Sequence, residues 1–498
     1  MTVWAQQVNN VFQPEEMARA LQLHGKFDST VSFTSRPVAF DPAGGAPNLY
    51  FVNDLKTTGG PLHHGSKDSF YLLPFSFVQQ YNSHHPYGWN DGPMIPTKGY
   101  QACLSAGIAA KWGPLEVRLQ PEFVFATNDV YASSAAYGSH LSGAYTKIFS
   151  GQSKISLSQW DIAIGLSTEN LWWGPGVRSS LLMSNNAPGF LHGFIRSRRP
   201  IHTGIGNFEW QLIGARLTSD STRPFENYYL RKGPKLFNWR YLNGFVISYN
   251  PKWTPGLFLG MTRVLQRSVS DIGLTGTSII NKYLPVIFKP VVKESVAGDD
   301  SLRTDQLASF FVRWVFPKSN FEFYAEYGFN DYGENMRDYL MSPTHSAAYI
   351  TGIRKVIPRS QDKSIELGIE LTQMSQSPDW LVRDAGNWYE HSQVLEGYTN
   401  QNQIMGAAAG FGSNLLSIDA TWVNGARRLG FLFERVERDP QRHTIKWVDL
   451  AIGCMPRWQY KKYIFSGLLE LIKTRNYMWQ ESNTIINIHA QFGVQYYL

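Results

Sequence analysis

Over residues 104–112 every second position is apolar, Leu104, Ala106, Ile108, Ala110 and Trp112, and the chain then reaches Gly113-Pro114. Leu115, Val117 and Leu119 return the pattern, with Glu116, Arg118 and Gln120 between them. A period of two with a Gly-Pro break predicts a hairpin with one apolar and one polar face. A soluble sandwich would show one such hairpin too, but the pattern recurs. Phe321, Phe323, Ala325, Tyr327 and Phe329 alternate with Glu322, Tyr324, Glu326 and Gly328, and Ile365, Leu367, Ile369 and Leu371 alternate with Glu366, Gly368, Glu370 and Thr372. Phe245, Ile247 and Tyr249 lead through Asn250-Pro251-Lys252-Trp253 to Leu257, Leu259 and Met261, a turn tight enough for a periplasmic rim. At the carboxyl end Ile488, Ala490, Phe492, Val494, Tyr496 and Leu498 share one face, and His489, Gln491, Gly493, Gln495 and Tyr497 the other. Barrels of the outer membrane finish on such a strand, which closes against the first and leaves no edge.

One segment departs from this period. Pro14 suits a first helical turn, Glu15 and Glu16 favour the positive helix end, and Met17, Ala20, Leu21 and Leu23 recur at helical spacing until Gly25. The opening Met1–Gln7 reads as the tail of a secretory signal, which would start the mature chain near Gln6. The expected organisation is thus a signal remnant over 1–7, a helical plug segment over 8–30 and a barrel over 31–498, with a long loop at about 266–303.

Composition decides what the apolar face meets. Aromatic residues make up 14% and charged residues only 17%, against roughly 25% charged in a soluble domain. No stretch approaches the roughly 18 apolar residues of a membrane-spanning helix. Lipid-facing and lumen-facing positions in alternation account for both facts. At about 9–11 residues per spanning strand, the predicted fold is all-β, a transmembrane antiparallel barrel of about 18 strands, within about 16–20. Such a barrel is too wide for side chains alone to fill, so water or a plug occupies it. The helix near residue 14 and the Gln266–Arg303 stretch are the plug candidates. Cys103 and Cys454 lie far apart and fit neither a metal pattern nor a disulfide framework. The net charge of +7 is scattered, which disfavours nucleic acid and leaves lipid, lipopolysaccharide or anionic glycan as partners.

The segment Glu169-Asn170-Leu171-Trp172-Trp173-Gly174-Pro175-Gly176, followed by Ser179-Ser180-Leu181-Leu182-Met183-Ser184-Asn185-Asn186-Ala187-Pro188-Gly189-Phe190, resembles the signature region of the capsule assembly protein Wzi family. Leu119-Gln120-Pro121-Glu122 at the end of an early strand, the Glu322/Glu326 strand, and Gly397-Tyr398-Thr399-Asn400 leading to Gly406, Gly410 and Gly412 extend the resemblance over most of the chain. It implies an outer-membrane barrel of about eighteen strands, obstructed by helices on the periplasmic side, that holds or organises surface polysaccharide without catalysis. The aromatic-rich sequence resembles members from Bacteroidetes-type bacteria, which keeps open a structural role in an assembly or secretion complex with other outer-membrane proteins. A plugged diffusion pore is the third expectation.

Trp172 and Trp173 have faces that stack on sugar rings, with Glu169, Asn170, Arg178, Asn185 and Asn186 as hydrogen-bonding neighbours. The competing reading makes the same segment an inward fold that buttresses the wall. Arg196, Arg198 and Arg199, with His192 and His202 nearby, suit phosphate or uronate, or a solvated rim. Inward Glu322, Glu326, Glu366 and Glu370 are expected to pair with inward Arg or Lys rather than do acid–base work. His63-His64 and His84-His85 would point to opposite faces of a strand, so no metal is expected, and no motif calls for a cofactor or an enzyme.

Overall fold

Strands rich in β-branched and aromatic residues pair antiparallel with their sequence neighbours all the way around. The computed structural model describes residues 3–4, 14–40, 63–64, 68–131, 143–221, 239–272, 283–284, 286, 304–330, 344–360, 362–377, 381, 386–391 and 394–497. The strands are β1 (Asp68–Asn82), β2 (Gly99–Trp112), β3 (Leu115–Leu119 and Glu122–Ala126), β4 (Tyr145–Phe149 and Lys154–Gln159), β5 (Ile162–Ser167) and β6 (His192–Ser197 and Ile201–Thr203). There follow β7 (Gly206–Leu217), β8 (Arg240–Pro251), β9 (Leu257–Ser268), β10 (Asp305–Phe316), β11 (Phe321–Asn330) and β12 (Ala347–Ser360). The last six are β13 (Lys363–Gln373), β14 (Asn414–Asn424), β15 (Arg427–Arg438), β16 (Trp447–Tyr460), β17 (Tyr463–Arg475) and β18 (Ile485–Tyr496). β18 pairs with β1 from Tyr496 opposite Phe75 to His489 opposite Asn82, which closes an 18-stranded barrel. Closure satisfies every ladder internally, the condition for crossing lipid with strands.

The wall is inverted relative to a soluble protein. Ile164, Phe431, Ile452 and Leu469 are more than half exposed on the outside, whereas Arg118, Arg313, Glu322, Glu434 and Glu470 are buried inside. Trp112, Trp160, Trp253, Trp458, Tyr460 and Tyr463 are exposed at the end that carries the tight turns, an interfacial aromatic belt. Short turns mark the periplasmic end of such barrels and long connections the external end. The connections 83–98 and 168–191 and the described parts of the one between β13 and β14 are therefore external.

The Gln120-Pro121 step does not end its strand. Proline cannot donate to the ladder, so β3 kinks there and resumes at Glu122, with Phe123 opposite Leu104. β9 likewise runs on through Gln266, which pairs with Asp305. Most of the following loop lies outside the described residues, but Val286 is buried, its N–H donating to Asn243 Oδ1 at 3.0 Å.

The helix α1 (Pro14–Leu23) forms where its spacing predicts and ends as Gly25 adopts φ +66. It is not a surface helix with one wet face. Glu15, Arg19 and Gln22 are as buried as Met17, Ala18 and Leu23, because α1 lies inside the barrel at the periplasmic end. Leu23 packs on Phe258, Val315 and Val356 of the wall, and Asn320 Nδ2 donates to Leu23 O at 2.9 Å. From the external end, residues 168–191, 386–391 and 394–413 fold down into the lumen. Their Trp173, Leu181, Met183, Trp388, Tyr398 and Met405 form one apolar core with inward wall residues such as Leu217, Val264 and Ile350. The two halves of the plug meet inside, where Trp172 and Trp173 pair antiparallel with Arg36 and Ser35.

Candidate functional site

The stretch that follows Trp-Trp-Gly-Pro-Gly is held by wall carboxylates through its backbone. Past Gly176 the chain turns so that the N–H groups of Val177, Arg178 and Ser179 converge on the Glu370 carboxylate of β13 at 2.7, 3.1 and 2.7 Å. The Tyr324 hydroxyl donates to the same group at 2.8 Å. Successive backbone donors aimed at one anion form a nest, here closed by an internal carboxylate rather than by a ligand. Glu326 accepts from Ser309 Oγ at 2.7 Å and from Leu181 N–H at 3.4 Å.

Two glycines make this approach possible. A Cβ on Gly174 (φ +124) would stand 2.8 Å from Glu326 Oε2, and one on Gly176 would stand 1.9 Å from Ser179 O. Since the second obstacle is backbone, G176A is expected to displace the segment from Glu370 and cost about 2–4 kcal/mol, within the range of strained core substitutions. Thermal unfolding in detergent measures this, and an unchanged midpoint would show that the turn relaxes freely.

Salt bridges explain only two of the four glutamates expected to pair inside the barrel. Glu322 accepts from Arg19 Nε and Arg313 Nε, both at 2.8 Å, and Glu366 is bound by Arg428 with Arg354 at 3.8 Å, as expected. Glu326 and Glu370 instead take hydroxyl and backbone donors, because the plug reaches them with main chain.

The structure gathers the sequence candidates unevenly. Glu169 sits between Arg118 (3.2 Å) and Lys154 (3.8 Å). Burial opposes its ionisation, but Lys154, Arg118 and Arg196 outweigh that and hold its carboxyl below the usual range. Asn170 Nδ2 donates to Ala187 O at 2.8 Å, and Asn186 Nδ2 to Ile404 O at 3.1 Å. Asn185 O receives the Gly92 N–H at 2.7 Å. Trp172 and Trp173 are fully buried. The Arg36 guanidinium lies 4.5 Å over the Trp172 ring, and Trp173 Nε1 donates to Gln211 Oε1 at 3.2 Å. Neither ring offers a face to a sugar in this arrangement, so both act as buttresses. Arg178 alone of this set reaches open space, in contact with Asp419 at 3.9 Å.

The three arginines do not converge. Arg196 donates to Pro37 O at 2.9 Å inside the barrel, Arg198 pairs with Glu116 at 3.2 Å, and exposed Arg199 pairs with Asp161 at a periplasmic turn.

The plug leaves one side of the lumen unfilled. A cavity of about 140 Å³ runs between it and the wall from β12 to β18. Arg354, Glu366, Arg428 and Arg457 line its periplasmic part, and Trp89, Asp91, Glu434, Glu470 and His489 its external part. Strand alternation marks the wall members as inward, but which of them face one another follows from barrel register and was not readable along the chain.

The family model described as capsule assembly protein Wzi matches residues 104–473. Among solved structures, an outer membrane protein involved in group 1 capsule assembly in Escherichia coli, Wzi, described as a carbohydrate-binding β-barrel, superposes with a TM-score of 0.65 at 12% identity. That match covers 100% of this chain and 99% of the other. OccK2 of Pseudomonas aeruginosa (TM-score 0.42, 10% identity, 85% and 96% covered) and OccAB4 of Acinetobacter baumannii (0.42, 8%, 86% and 98%) are too distant to support an argument. No curated protein matches by sequence. With the family model spanning well over half of its length, the chain belongs to the capsule assembly protein Wzi family.

Proposed function

We propose that this outer-membrane barrel holds surface polysaccharide at its external face and does so without catalysis. The observation that carries the reading is the two-ended plug. A lumen wide enough for a pore is packed with the very segment that resembles the family signature, and Glu322, Glu326, Glu366 and Glu370 are spent on arginines, hydroxyls and backbone donors. Catalysis would need such groups free beside a substrate. The solved Wzi binds carbohydrate by its own description, and the shared family extends that chemistry to this chain.

Contact falls to the external rim rather than to Trp172 and Trp173. His443 stacks on Trp479 at 3.7 Å between rings, next to exposed Arg442 and Lys446, an aromatic platform with cations beside it. Trp479→Ala is expected to weaken binding of purified surface polysaccharide about tenfold, and because Trp479 also packs on Trp447 and donates to Arg438 O at 3.1 Å, binding is compared at a temperature where both chains are folded. No binding by the parent chain at cell-like salt would sink the proposal. Purification in mild detergent separates the rival role, for which stoichiometric protein partners without bound glycan would be the signature.

A further inference from the structure

At the periplasmic turns of β12 to β15 the outer face of the wall changes from apolar to cationic. Lys363 shares the alternation of exposed Leu367 and Ile369 on β13, and Arg427 that of exposed Leu429 and Phe431 on β15, so both point away from the lumen. Lys363 pairs with Asn424, and Asn424 with Arg427. The two cations therefore stand in one row two strands apart, about 10 Å at roughly 4.8 Å per strand. On the other side Ser360 pairs with Lys363, and Arg359 is the extra residue of a bulge beside them. The Gly425 N–H donates to Asp362 O at 2.8 Å, which ties the two turns together.

These cations are left over. At other turns of the same end Arg198 and Arg199 have Glu116 and Asp161, and Lys355, further into the wall, donates to Ser319 O. Among the described residues Arg359, Lys363 and Arg427 have no ion pair, and Asp362, the acid on the same turn, joins none of them. The row also lies at a definite depth. Arg428 pairs with Arg457, which sets Trp458 beside Arg427, and Trp458 pairs in turn with Phe465. With exposed Tyr460 and Tyr463, these rings belong to the aromatic belt, which marks the level of the lipid headgroups. Long cationic side chains at that level lie along the apolar wall and present their charge to the interface, where the anion on offer is phosphate.

We propose that Arg359, Lys363 and Arg427 bind the phosphate of an anionic phospholipid at the periplasmic end of the barrel, with its acyl chains along Leu367, Ile369, Ile418 and Phe431. Two observations favour a lipid over a soluble acidic partner: the row faces sideways from the wall, and an exposed apolar strip continues from it across the same strands.

Lipid retained by the full chain tests this. The chain is purified in mild detergent with equal amounts of phosphatidylglycerol and phosphatidylcholine, and native mass spectrometry counts each lipid per barrel. Phosphatidylglycerol is expected to be retained about fivefold or more over phosphatidylcholine, the contribution of a single well-placed cation or more. Arg359→Gln, Lys363→Gln and Arg427→Gln together should remove that preference. The same change of charge at Lys252, Lys318 and Lys461, also exposed at periplasmic turns, should preserve it. No preference in the parent, equal loss in both triple variants, or a preference that survives the first would overturn the site. Should the first variant fail to fold, Arg427→Gln alone is expected to reduce the preference to about half, and no reduction there would overturn the site as well.

Discussion

Replacing Glu370 with alanine is expected to lower stability by about 3–5 kcal/mol and to free the 168–191 segment from the wall. The carboxylate collects three backbone N–H groups and one phenol, and alanine leaves all four buried without an acceptor. Each orphaned donor costs roughly 1–3 kcal/mol, and relaxation recovers part of the sum. Glu370→Gln retains one acceptor oxygen and should fall between parent and alanine. Thermal unfolding in detergent gives the size of the effect, and limited proteolysis should show new cleavage between residues 168 and 191. A midpoint unchanged in the alanine variant would mean that the apolar core alone holds the segment.

Removing residues 1–40 should have the larger functional effect. These residues supply α1 and the Ser35–Arg36 pairing that underlies Trp172 and Trp173. Without them Arg313 retains Glu322, so the wall keeps its charge balance while the periplasmic half of the lumen loses its filling. A wide barrel so emptied is expected to conduct. In planar bilayers the shortened chain should show stable ion conductance well above that of the parent. Equal conductance in both would mean that the external half of the plug seals the lumen by itself.

The wall was legible because its physics is local. Each strand must alternate, so Leu104 to Trp112 and Ile488 to Tyr496 declare their faces residue by residue, and strand length limits their number. α1 was legible from Pro14 and the spacing of Met17, Leu21 and Leu23. Its burial was not, since nothing in ten residues says that Arg19 will meet Glu322, 303 positions away. The role of Glu370 was hidden for a related reason: its partners are backbone groups, which leave no trace in side-chain identity. Gly174 and Gly176 were the available signal, because glycines crowded into one short stretch mark backbone approaching something closely. The external cavity depends on register around the whole circumference, which no single segment encodes.

The clasp between the two plug halves also joins distant parts of the chain. Arg36 and Trp172 are bound to each other within a closed ring, yet one precedes every barrel strand in the chain and the other follows β5. The two halves enter from opposite open ends of the ring, so the clasp ties the segment that precedes the first strand to one that follows the fifth only when both lie inside the same lumen.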